Sequence, residues 1–183
     1  MRLGVMCSGN GSNFQNIVTN QLCSHHEVVL MIHNTKECGA VVRAAKYGIP
    51  HVRVAHKDEE DMIKLFEVYR VDLIILAGYM RVINNPFAFP CPIINVHPSL
   101  LPKYKGLNAI RKALQSGDKI TGCTVHYVNE ELDGGDIICQ SEVSIEPNDT
   151  LEKLTRRIQL QEYSILPLAI EIHEKSKTFA FST

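Results

Sequence analysis

Residues 72–77, Asp-Leu-Ile-Ile-Leu-Ala, set large aliphatic side chains in unbroken succession from Leu73 to Leu76. Neighbouring residues of a strand point to opposite faces, so such a run suits only a sheet covered on both sides. Sheets of that kind are the parallel sheets of α/β proteins, whose crossover helices supply the covering layers. The flanking segments agree. Leu3 to Cys7, Glu27 to Ile32, His51 to Val54 and Pro92 to Val96 read as further strands. Between them lie helical patterns: one after Ser12 carrying Phe14, Ile17 and Val18, one from Ala40 to Tyr47 stopped by Gly48 and Pro50, and one from Glu59 to Tyr69. The expected fold class is α/β, a mostly parallel twisted sheet with helices on both faces and right-handed crossovers. Ligands of such sheets bind beyond the carboxyl ends of the strands. The loops leaving those ends are Ser8 to Ser12, Gly78 to Val82 and His97 to Lys105.

The second half reads differently. Leu107 to Ser116 is a predicted helix ending at Gly117, and Gly122 to Val128 and Asp136 to Ile145 are predicted strands. Only the acidic turn Asn129 to Gly135 separates those strands, which implies an antiparallel C-terminal pair. A last helix is expected from Asp149, where Asp149 and Glu152 have capping-box spacing. Leu151, Leu154, Ile158, Ile165, Leu168 and Ile172 share one predicted face, with Gln161 inside that stripe and Glu162 on its edge. Pro167 should kink or interrupt the helix, and the polar tail after His173 should be loosely held. No linker-like stretch divides the chain, so residues 1–183 are expected to form a single domain with halves 1–100 and 101–175.

Bulk properties exclude several classes. A formal net charge of -1 offers no global attraction for nucleic acid or an anionic membrane, so an anionic ligand needs a local site. The cysteines, 7, 23, 38, 91, 123 and 139, form no CxxC pair and no zinc-like cluster with histidine. They fit free thiols in a reducing cytosol, and no metal is expected. The apolar N-terminal stretch is too short for a signal peptide, and no run reaches the ~18 apolar residues of a membrane span. The expectation is a cytoplasmic protein.

Three segments carry candidate chemistry. Ser8-Gly9-Asn10-Gly11-Ser12-Asn13 joins the first strand to the first helix. A helix N-terminus presents unpaired N–H groups and partial positive charge, which suits a phosphate monoester. It lacks the third glycine of GxGxxG and the Lys-Ser/Thr of a triphosphate loop. A tight turn with a helix cap explains the same residues. Asn95 and His97 stand two apart at the end of a buried strand, on one face of it, and Pro98 ends the strand. An amide donor and an imidazole aimed together suit the oxyanion of an acyl-transfer intermediate. A strand-end histidine satisfied by a backbone carbonyl is the plainer alternative. Asp133 lies in an acidic Asp-Gly turn that could be merely solvated, or could fold back on His97 and raise its pKa.

Together with Leu76-Ala77-Gly78-Tyr79-Met80-Arg81, Asn95-Val96-His97-Pro98-Ser99-Leu100-Leu101-Pro102, Glu131-Leu132-Asp133-Gly134-Gly135 and Gln159-Leu160-Gln161-Glu162, the glycine loop resembles the folate-dependent phosphoribosylglycinamide formyltransferases, from Ser8 to about Pro167. The resemblance implies a Rossmann-like formyltransferase fold. It also implies transfer of the formyl group of 10-formyltetrahydrofolate to the amine of phosphoribosylglycinamide in purine synthesis. Asn95, His97 and Asp133 would be catalytic: Asn95 on the formyl oxygen, His97 as the acid, Asp133 raising the His97 pKa and relaying a proton. Gly11, Ser12 and Asn13 would hold the substrate phosphate, and Gln159 and Glu162 its ribose. Lys57, Met80, Arg81, Val82, Ile83, Asn95, Val128 and Asn129 would line the folate site. The folate would be a cosubstrate, with no tightly bound cofactor, and the protein a monomer or homodimer. Lys105 and Asp136 stand where many relatives have proline.

Two related activities and one non-catalytic reading compete. A formyltetrahydrofolate hydrolase would pass the formyl group to water, and the family resemblance then implies a preceding regulatory domain, for which a first strand at Leu3 leaves no room. A methionyl-tRNA formyltransferase would need a C-terminal RNA-binding domain, for which a chain ending at Thr183 offers no basic excess. A non-catalytic phosphate- or folate-binding module would not need Asn95, His97 and Asp133 together.

Overall fold

A computed structural model describes residues 1–21 and 25–180, so Cys23 lies outside the described residues. The chain forms two compact units, Met1–Asn95 and Val96–Thr183.

The first unit alternates strand and helix: β1 (Arg2–Cys7), α1 (Ser12–Gln21), β2 (Glu27–His33), α2 (Gly39–Lys46), β3 (His51–Arg53), α3 (Glu59–Val68) and β4 (Leu73–Leu76), followed by the start of β5 (Ile93–His97), whose last two residues belong to the second unit. β1 pairs in parallel with β2 and β4, β2 with β3, and β4 with β5. The aliphatic run Leu73–Leu76 is β4, and all its side chains are buried. Helix α3 buries Met62 and Phe66, one turn apart. Its acidic first turn, Glu59, Glu60 and Asp61, complements the positive end of the helix dipole. A 3₁₀ turn at Pro86–Ala88, absent from the sequence reading, leads into β5.

The second unit holds α4 (Ala109–Ser116), β6 (Ile120–Tyr127), β7 (Ile137–Ser144) and α5 (Leu151–Ala180). β6 and β7 pair antiparallel, with a register shift between Val125 and His126. Within the first unit the strand order is β3-β2-β1-β4-β5, all parallel, whereas β6 and β7 of the second unit form an antiparallel pair. Gly122 is dictated by packing: a Cβ there would lie 2.0 Å from the Ser141 carbonyl oxygen and 2.8 Å from Leu100. No described helix is long and apolar enough to cross a membrane.

Helix α5 departs from its sequence reading in four ways. Thr150, not Asp149, caps it, accepting from the Lys153 amide at 3.2 Å. Asp149 is drawn instead to the Arg157 guanidinium, 2.8 Å from Nη1, and to the Glu146 amide, also 2.8 Å. An arginine two turns away outcompetes a backbone amide for a carboxylate, because the bond to it is charge-assisted on both sides. Pro167 does not interrupt the helix. One missing N–H is tolerated where buried side chains on both sides, Leu154 and Ile158 before it and Ala169 and Ile170 after it, hold the axis. Past Pro167 the buried face turns: Leu168 and Ile172 are exposed, while Ala169, Ile170 and His173 are buried. The stretch after His173 continues as helix to Ala180, and the last three residues of the expected tail lie outside the described residues. The His173 ring secures that turn through Nδ1, 2.8 Å from the Tyr127 hydroxyl.

Arg157 holds the Asp149 carboxyl down at about 2, through the hydrogen bond first and then the Glu146 amide and nearby positive charge, against its own desolvation. A depressed carboxyl pKa contributes stability above the unfolded value of about 4 and loses it as pH falls toward the folded one. Asp149→Asn is therefore expected to lower the melting temperature at neutral pH and to flatten its fall between about pH 4 and pH 2. Thermal melts across that range test this; parallel curves for the two proteins would contradict it.

Candidate active site

The end of β5 delivers the first two candidate side chains. Strand periodicity puts Asn95 and His97 on one face, with Asn95 half-buried and His97 buried. The segment beyond them turns sharply. The Ser99 amide donates to the His97 carbonyl at 2.9 Å, and the Ser99 hydroxyl to the Lys103 carbonyl at 2.5 Å. Thr124 on β6 anchors this loop from below. Its hydroxyl donates to the Ser99 carbonyl at 2.7 Å and accepts from the Leu101 amide at 3.1 Å. Gln140 on β7 donates to both the Thr124 hydroxyl, at 2.8 Å, and the Leu101 carbonyl, at 3.0 Å.

The acidic turn folds back on His97. Asp133 Oδ2 lies 3.4 Å from His97 Nδ1, and both side chains are under a tenth exposed. The same oxygen accepts from the Gly106 amide at 2.7 Å. On its other side, Asp133 Oδ1 faces His126 Nε2 at 3.7 Å. Burial pushes the Asp133 carboxyl up, but the His126 ring, the Gly106 amide and the electrostatic pull of the His97 and His126 imidazoles outweigh it and hold the group below the usual carboxylate value. Asp133 is thus an anion in a nearly dry setting.

His97 Nε2 lies 2.9 Å from the Tyr104 carbonyl oxygen. Both ring nitrogens therefore face acceptors; a neutral imidazole can donate to only one, a protonated ring to both. The sequence reading posed a carbonyl partner and an acidic partner as alternatives for this histidine, and the structure supplies both. Tyr104 takes a left-handed conformation, φ 57°, to turn its carbonyl onto the ring. Its hydroxyl, 2.6 Å from Asp118, fixes that conformation.

In the first unit, the glycine loop leaves β1 and runs into α1, with the Gln15 amide donating to the Gly11 carbonyl at 2.9 Å. Gly11 has φ 72°, and a Cβ there would lie 2.6 Å from Ala40 Cβ on α2. Arg43 of α2 donates from Nε to the Asn10 carbonyl at 2.7 Å, and the Ala40 amide to the Gly9 carbonyl at 3.2 Å. The loop is tied to the 78–83 segment as well: the Met80 amide donates to the Ser8 hydroxyl at 2.8 Å, and the Ser8 amide to the Gly78 carbonyl at 3.1 Å.

These features recur in known proteins. The formyl transferase family model matches residues 1–170. The chain belongs to the formyl transferase family. Phosphoribosylglycinamide formyltransferase of Haemophilus influenzae is 38% identical over 183 residues, covering 93% of this chain and 85% of that protein. The trifunctional purine biosynthetic protein adenosine-3 of Drosophila melanogaster is 41% identical over 182 residues, 92% of this chain, but the chain spans only 14% of that longer protein. Among solved structures, glycinamide ribonucleotide transformylase 1 from Symbiobacterium toebii superposes with a TM-score of 0.89 at 38% identity, covering 93% of this chain and 85% of that one.

The remaining expected site residues range from exposed to buried. Lys57 is exposed in the segment between β3 and α3. Met80, Arg81 and Val82 are exposed, whereas Ile83 is buried and presents little side chain to a ligand. Glu59 steadies the end of that segment, accepting from the Asn84 amide at 2.7 Å and the Asn85 amide at 3.2 Å. In the second unit, Val128 and Asn129 are half-buried at the start of the acidic turn. Gln159 on α5 is half-buried and Glu162 buried; burial and then the Glu162 charge push the Cys123 thiol of β6 up to about 12. Gln161 accepts from the Ser141 hydroxyl at 2.9 Å, so its side-chain oxygen is met within the fold.

Sequence reasoning missed Tyr104, Gly106, Thr124 and His126. Tyr104 and Gly106 act through backbone groups, which carry no side-chain signature. Thr124 and His126 stand two apart in a buried strand, Gly122 to His126, and that polar alternation was a usable signal. Gly11→Ala combines a left-handed backbone with a clash against α2, and is expected to cost roughly 1–3 kcal/mol of stability. Urea unfolding checks it; an unchanged midpoint would mean that loop and α2 separate freely.

Proposed function

We propose that the chain transfers the formyl group of 10-formyltetrahydrofolate to the amine of phosphoribosylglycinamide, as a step of purine biosynthesis. The observation that carries this reading is the buried Asp133 carboxylate held against His97, with Asn95 on the same face of β5. The names of the Haemophilus and Symbiobacterium relatives support the choice of substrate.

The amine nitrogen attacks the formyl carbon, a C–N bond forms, and the carbonyl pair moves onto oxygen. The Asn95 amide and a His97 N–H receive that oxyanion. His97 Nε2, which serves the Tyr104 carbonyl in this structure, exchanges that acceptor for the oxyanion. Asp133 orients the ring through Nδ1 and balances its positive charge. The attacking nitrogen gives up a proton, which Asp133 helps relay. Collapse restores the carbonyl, breaks the bond to the folate nitrogen and returns a proton to it. No nucleophilic side chain, metal or resident cofactor is required, and the folate is a cosubstrate.

Gly11, Ser12 and Asn13 hold the substrate phosphate at the start of α1, where amides and the helix dipole favour an anion. Gln159 and Glu162 contact the ribose. Lys57, Met80, Arg81, Val82, Ile83, Asn95, Val128 and Asn129 form the folate site, Ile83 as packing beneath it. The family match across residues 1–170 spans both compact units, which supports one formyltransferase domain.

The test is to mix the protein with the formyl-folate and phosphoribosylglycinamide. Formyl transfer that requires the amine supports the proposal. Release of formate without an acceptor identifies a hydrolase instead, and binding without turnover identifies a non-catalytic module. His97→Ala is expected to lower kcat by about 10²–10⁴ while KM changes little, since the interaction is made in the transition state. A near-normal kcat in that variant removes the assignment.

A further inference from the structure

The acidic turn is a closed unit. The Glu131 amide donates to the Asn129 side chain at 3.0 Å, and the Gly134 amide donates to the Glu131 carbonyl, also at 3.0 Å. The Glu131 side chain lies over Gly134, where a Cβ would sit 2.4 Å from its Cδ. Asp133 is inside this turn, in a left-handed conformation with φ 48°. A force on Glu131 therefore moves Asp133 with it.

Such a force is present. Lys105 Nζ lies 2.6 Å from Glu131 Oε1. Lys105 sits between Tyr104, whose carbonyl takes His97 Nε2, and Gly106, whose amide takes Asp133. The near side of the same loop is fixed independently, because Lys103 Nζ and the Tyr104 hydroxyl converge on Asp118 Oδ2 at 2.7 and 2.6 Å. Asp118 thus anchors the loop, and Lys105 ties the turn to it. The lysine is only 33% exposed, so its ammonium is less hydrated than a free surface one, while Glu131 is 69% exposed.

We propose that Lys105 is a positioning residue for Asp133, its ion pair with Glu131 latching the acidic turn against the loop that holds His97. The proposal rests on the formyl-transfer reading for its catalytic consequence, but the latch itself does not. Most exposed ion pairs contribute little. This one acts on a carboxylate whose distance to a catalytic ring matters, so its effect belongs in kcat rather than in global stability. It also predicts sensitivity to salt, which screens partly exposed charges.

The experiment uses the full chain with Lys105→Glu, Glu131→Lys and the two combined, alongside Lys105→Met. Each single charge reversal is expected to lower kcat about two- to fivefold with KM nearly constant, the range of an exposed pair. The double exchange should restore kcat to within about twofold of the parent, and the parent should lose a similar factor near 1 M salt, where the Debye length is about 3 Å. A second readout needs no turnover: the side-chain carboxyl carbon of Asp133, followed by NMR against pH. In Lys105→Met its midpoint should rise toward the ordinary carboxylate value as the Gly106 and imidazole partners recede. A double exchange no better than the worse single variant, or an unmoved Asp133 titration, overturns the latch. A parent chain that forms no formyl product overturns the proposed function, and the titration still decides the latch.

Discussion

A carboxylate taken out of water must be met by donors or positive charge, and Asp133 is met by three partners from three places in the chain. His97 ends β5, Gly106 lies in the loop beyond it, and His126 sits on β6. Each partner fixes something else. The Gly106 amide needs the loop to turn through Tyr104 in a left-handed conformation, and His126 needs the register shift that β6 makes at Val125. Bulges of this kind commonly re-aim a side chain beside a site. The arrangement explains why a turn that is acidic and glycine-rich is nonetheless well defined: its one inward carboxylate is its anchor.

The loop after His97 shows the same economy on its underside. Thr124 and Gln140 present side-chain groups to backbone atoms of residues 99 and 101, doing for the loop what a neighbouring strand would do for a strand. A loop with few regular hydrogen bonds becomes rigid enough to place a carbonyl on an imidazole. Thr124 is fully buried, so its hydroxyl has no solvent to fall back on.

Much of this was legible in advance, and the limits have physical causes. The alternation of strand and helix carried the parallel sheet, and the aliphatic run at Leu73 to Leu76 marked its most buried strand. Asn95 and His97 were legible because strand period places both side chains together. The 129–135 turn was recognisable as a turn, but its contact with His97 depends on the path of residues 98–106, which no periodicity encodes. Tyr104 and Gly106 contribute only a carbonyl and an amide, which every residue has. Asp149 was misread because a capping box and an arginine at i+8 compete for the same carboxylate, and spacing alone does not rank them. Pro167 lies inside α5 without ending it, because its local cost is set against packing along the whole length of the helix.

If the chain carries out the proposed formyl transfer, the Tyr104 carbonyl has a consequence for selectivity. It is a neutral acceptor of the same chemical kind as a formyl oxygen, already seated on His97 Nε2 at 2.9 Å. A ground-state formyl group that displaces it exchanges one carbonyl for another and gains little. An oxygen bearing full negative charge accepts a hydrogen bond about twice as strong as a neutral one does. The balance therefore tips only as charge develops, and the main chain acts as a built-in competitor that keeps the imidazole from rewarding mere occupancy.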